Sequence, residues 1–104
     1  MAIESFIFKK LMSIHALVDI EIVLQDLLLL DNEVRDEYPR EQRVHFLAAA
    51  VRRRGFFRTA HQALDMADLF LRFREIYGIE DFESLDRLVQ EFQVYKVEKD
   101  RTGT

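Results

Sequence analysis

Three histidines in this chain each have an acid four positions away: His15 with Asp19, His45 with Glu41, and His61 with Asp65. Residues four apart share a face of a helix, so each pair has the spacing to pass a proton or hold a metal ion. His61, Asp65 and Asp68 form the densest such cluster. Helical bundles of the di-iron type need a Glu-x-x-His motif on each of two helices, and the sequence contains none. With 19 acids in 104 residues, such spacings arise readily, and ion pairs on solvated helix faces account for all three. No metal and no cofactor is expected.

Nothing favours a covalent nucleophile. Cysteine is absent, and the only serines are Ser5, Ser13 and Ser84. Ser84 falls in the expected first turn of a helix, where capping explains it. Gly55, Gly78 and Gly103 lie too far apart to cradle a phosphate. Glu80, Asp81 and Glu83 suit the positive end of a helix dipole. The expectation is therefore a protein that is not an enzyme.

The strongest charge signal is basic. Arg40, Arg43, Arg52, Arg53, Arg54 and Arg58 are opposed locally by Glu41 alone, a charge of +5 in a chain of −4, so the remaining residues carry −9. Phe56 and Phe57 adjoin the last of these arginines. Concentrated cations next to aromatics suit an acidic protein partner or a nucleic acid. The first reading makes Arg40, Arg43, Arg52, Arg53, Arg54 and Arg58 the contacts, with Phe56 or Phe57 as apolar anchor. The second makes residues 47–64 a divergent helix-turn-helix, with Arg58, Thr59, His61 and Gln62 reading DNA. Asp65 and Asp68, which would approach phosphates, oppose the second. A local explanation also exists: arginines complement the C-terminus of a helix and pair with the acidic segment 31–37.

These residues need helices to position them. Three glycines and one proline leave few breaks, so the helices are long. A first helix is expected over residues 4–30. Ile7, Leu11, Ile14 and Val18 form one apolar stripe, and Leu17, Ile20, Leu24 and Leu27 a second, rotated one. The alternation of Val18, Asp19, Ile20, Glu21 and Ile22 has the period of a strand but fails on both sides. Residues 31–38 read as a polar loop. Pro39 suits a helix first turn, and a second helix over 39–54 buries Val44, Leu47, Ala48 and Val51 and ends at Gly55. A third helix over 59–77 is capped by Thr59 and closed by Gly78. A fourth starts at Asp81, and residues 99–104 read as a flexible tail.

The fold class expected is all-α: one domain over residues 1–98, a compact bundle of about four helices with a long central first helix. Eleven of the fifteen residues 16–30 are apolar, more than one bundle helix needs, which points to a homodimer through that helix. The same tract holds four polar residues and is no membrane span, and the N-terminus has no signal-peptide pattern. A cytoplasmic regulator, adaptor or inhibitor that presents its arginine-rich junction to an acidic partner is the function expected.

Overall fold

Asp19 divides the N-terminal apolar tract. The computed structural model describes residues 3–14 and 19–102, which form five helices and no strand: α1 (Ile3–Ile14), α2 (Ile20–Val34), α3 (Arg40–Arg53), α4 (Ala60–Tyr77) and α5 (Phe82–Thr102). The single helix expected over residues 4–30 is thus two. Asp19 is the N-cap of α2, in extended conformation, and its carboxylate accepts the Ile22 N–H at 3.3 Å. A side-chain acceptor at that point satisfies a first-turn donor and starts a new helix. Of the histidine–acid pairs, His15 with Asp19 lies outside the described residues. No helix among the described residues is long and apolar enough to cross a membrane.

The remaining boundaries follow from caps. Pro39 precedes α3, Thr59 Oγ1 accepts the Gln62 N–H to open α4, and Gly78 closes α4 at φ 65°. Asp81 and Ser84 form a reciprocal pair at the start of α5. The Ser84 N–H donates to Asp81 Oδ1 at 2.9 Å, and the Asp81 N–H donates to Ser84 Oγ at 3.2 Å, in the manner of a capping box. α5 then runs to Thr102, through residues assigned from sequence to a tail.

α4 packs most extensively on α3 and also meets α2. Ala63, Met66, Ala67, Leu69, Phe70, Leu71 and Phe73 bury one broad side of α4. α2 packs on α3, α4 and α5, and Phe8 of α1 stacks against Phe92 and Tyr95 of α5 at centroid distances of 5.9 and 5.3 Å. The radius of gyration, 13.5 Å, is close to the roughly 13 Å of a compact chain of this length. The apolar excess of α2 is mostly consumed here: Val23, Leu24, Leu27 and Leu28 are buried, and Ile22 and Leu29 are exposed.

Gly78 needs its positive φ to turn the chain, and a Cβ there would meet no atom within 4 Å. Gly78→Ala should therefore lose about 1–2 kcal/mol from backbone strain alone, read as a lower urea midpoint with an unchanged slope. At the other cap, hydrogen bonds from the Ser84 backbone and then its hydroxyl hold the Asp81 carboxyl below its ordinary range. A folded value below the unfolded one gives stability that is present above about pH 4 and fades as pH falls through the folded value. Carboxyl-carbon NMR should show the lowered titration of Asp81, partly restored upward in Ser84→Ala.

Candidate interaction site at the arginine-rich junction

The turn between α3 and α4 is a defined motif. The Phe56 N–H donates to the Val51 carbonyl at 3.2 Å and the Gly55 N–H to the Arg52 carbonyl at 3.0 Å. With Gly55 at φ 82°, these two bonds are the pair that defines a Schellman motif. The residue after its glycine normally packs back on the helix, which explains Phe56, half-buried against the core. Phe57 follows into the interior and is 6% exposed. It is a core side chain, which removes Phe57 from the two candidate anchors and leaves Phe56, since two adjacent exposed phenylalanines would leave too much apolar surface in water.

The arginines divide into two groups. In the first, each guanidinium is held by acids of the same chain. Arg40 donates from Nε to Glu75 at 2.8 Å and from Nη2 to Asp68 at 3.0 Å, both on α4. Burial lowers its pKa, but the hydrogen bonds to Glu75 and Asp68 outweigh it and leave a net rise. Arg54 donates to Asp26 of α2 at 2.6 Å. Arg43 makes a two-pronged contact with Asp31, 2.7 Å from Nε to Oδ1 and 2.7 Å from Nη2 to Oδ2. All three are ion-paired within the chain, Arg54 from an exposed position.

Asp31 is 0% exposed and is shared. Arg74 of α4, 7% exposed, donates from Nη1 to Asp31 Oδ2 at 2.8 Å and from Nε to the Ile79 carbonyl at 3.0 Å. Its Nη2 is buried without a hydrogen bond, 3.8 Å from Glu80 Oε2. Burial pulls the Arg74 guanidinium below its ordinary value, whereas the hydrogen bonds to Asp31 chiefly raise that of Arg43. Around this centre, Asn32 Nδ2 donates to the Glu80 carbonyl at 3.3 Å and Arg35 pairs with the Glu80 carboxylate. The end of α2 is thus tied to α3, to α4 and to the α4–α5 connection.

The second group is Arg52, Arg53 and Arg58. All three are exposed, and their side chains make no ion pair or hydrogen bond among the described residues. Sequence reasoning weighed their neighbour His45 only as a partner of Glu41 and did not single out Phe46. Both lie on the outer side of α3, and Phe46 is 39% exposed. A shallow groove of about 170 Å³ runs beside them, lined by His45, Ala48, Ala49 and Arg52 of α3 and Ala60, Ala63 and Leu64 of α4.

Arg58, Thr59, His61 and Gln62 are all exposed at the start of α4. Further along, Asp65 is 66% exposed and lies 3.4 Å from His61, so an anionic backbone docked on these residues would meet a carboxylate. Asp68, the third member of the candidate metal cluster, is engaged by Arg40 and by Arg72 at 3.0 Å each. No group of three potential metal ligands gathers among the described residues. No family model, no curated protein and no solved structure matches the chain.

The two kinds of internal pair should differ sharply in strength. Arg74→Ala removes one of the three hydrogen bonds on the buried Asp31 carboxylate, leaving the two from Arg43, and should destabilise by about 1.5–3 kcal/mol. Arg54→Ala, at a pair whose arginine is mostly exposed, should lose no more than about 1 kcal/mol. Urea unfolding of both variants checks the contrast.

Proposed function

We propose that this protein is a non-enzymatic interaction module that binds an acidic protein segment through Arg52, Arg53 and Arg58. One observation carries the reading: Arg40, Arg43 and Arg54 are each ion-paired within the fold, whereas the exposed Arg52, Arg53 and Arg58 have no ion pair among the described residues. They surround a turn held by a Schellman motif and the Thr59 cap, so they sit on a fixed frame, which reduces the ordering needed on binding. α4 has no acid in its first turn, so none of its own carboxylates complements that positive helix end.

Charges arranged this way act mainly by steering and selecting an oppositely charged partner. Duplex DNA is the less favoured target. Asp65 and the α4 acids beyond it lie on the side from which a duplex would approach Arg58 and His61. A homodimer is not needed for this reading, since α2 covers most of its apolar surface inside the monomer.

The triple variant Arg52→Glu, Arg53→Glu, Arg58→Glu should weaken binding to a labelled glutamate-rich peptide by tenfold or more, about 1.4 kcal/mol or above. Its far-UV circular dichroism should match the parent, because none of the three side chains makes an ion pair or hydrogen bond among the described residues. Unchanged peptide affinity contradicts the reading. So does tighter binding of mixed-sequence duplex DNA with a steep salt dependence.

A further inference from the structure

We propose that the groove between α3 and α4 seats one apolar side chain of an acidic amphipathic helix, whose carboxylates meet Arg52 and Arg53. The inference rests on the reading of the junction arginines as a protein-binding site and adds the form of the partner. The groove, about 170 Å³, is smaller than the roughly 300–1,000 Å³ of typical small-molecule sites. It suits a single side chain. Its floor is Ala48 and Ala63, both buried, and its edges are Ala49, Ala60 and Leu64. Small side chains on both helices leave the depression between them.

Two features select the occupant. The first is charge. His45, Ala49 and Arg52 follow one another at spacings of four and three along α3, so the groove runs about 10 Å beside the helix axis. Its far end is bounded by Arg52, with Arg53 on the adjoining turn face and Arg58 just before Ala60. None of these cations has an acidic partner among the described residues. An apolar side chain entering the groove must therefore come from a segment that carries carboxylates about one turn away. The second is the apolar border. Phe46 shares the outer face of α3 with Ala49 and Arg53, at spacings of three and seven, and remains 39% exposed. A helix laid along α3 would cover it, whereas a lone side chain in the groove would not. The described residues offer no strand edge for an extended peptide, which leaves helix-in-groove docking with anchors at helical spacing.

The test is selection of binders from a display library of helical 18-residue peptides, followed by affinity measurement on the parent, the triple arginine variant and Ala49→Trp. Ala49 is exposed, so the indole fills the groove without entering the core. Selected peptides should carry paired acids within one turn of Leu, Phe or Met. They should lose tenfold or more in affinity for both variants. Amide shifts in the parent should centre on His45, Phe46, Ala49 and Ala60, which identifies the site even if Ala49→Trp folds poorly. Acidic binders that tolerate Ala49→Trp and shift only Arg52, Arg53 and Arg58 overturn the groove and leave the charge reading intact. Binders that ignore both variants, or no binders at all, overturn both.

Discussion

A carboxylate with no access to water organises this molecule. Asp31 sits on the apolar side of α2, and burying it is tolerable only because Arg43 and Arg74 supply three charge-assisted hydrogen bonds. Each partner comes from a different helix. Arg43 therefore fixes α3 relative to α2, and Arg74 fixes α4 relative to both. Arg74 extends the constraint by donating to the Ile79 carbonyl, at the connection that leads into α5. A slip of any of these helices by one residue would leave a buried charge unpaired, which apolar contacts alone would not penalise as strongly. The centre thus acts on register, while the bulk of the stability comes from the apolar residues around it.

The placement of α3 by Asp31 decides what the arginine stretch presents outward. At about 100° per residue, Arg40, Arg43 and Arg54 fall on one side of α3, and Arg52 and Arg53 on the other. The first set meets Asp68, Glu75, Asp31 and Asp26; the second meets solvent. Surface pairs such as Arg54 with Asp26 add little stability in water. Their larger effect is to neutralise three cations of the stretch, so that its unpaired positive charge lies on Arg52, Arg53 and Arg58 at the α3–α4 junction.

Much of this was legible. Pro39, Gly55, Thr59, Gly78 and Asp81 each mark a helix end through a local rule, and α3, α4 and the start of α5 lie where those rules put them. The break at Asp19 was visible only as two apolar stripes that do not share a face. A rotated stripe and a strand-like alternation at the same point are what a cap between two helices produces, yet periodicity alone also fits one curved helix. Asp31 was misread as the first residue of a loop because acids favour loops. The better signal was spacing: Asp31 continues the stripe of Ile20, Leu24 and Leu27, and Arg74 falls among Phe70, Phe73 and Tyr77. An acid and a base, each on an apolar stripe, imply a buried pair, although not which base joins which acid. Phe57 and the groove beside Phe46 depend on how the helices pack, which no local pattern encodes.

The most direct measurement is a double-mutant cycle between Asp31→Ala and Arg74→Met, read by urea unfolding. If the buried centre sets the register, Asp31→Ala strands the buried Arg74 guanidinium, and removing Arg74 as well relieves that cost. Arg43 loses Asp31 equally in the single and the double variant. The double variant should then be more stable than the sum of the single losses implies, with a coupling of about 2–3 kcal/mol. Losses that add to within about 0.5 kcal/mol would show that Asp31 and Arg74 contribute independently, and would contradict the account.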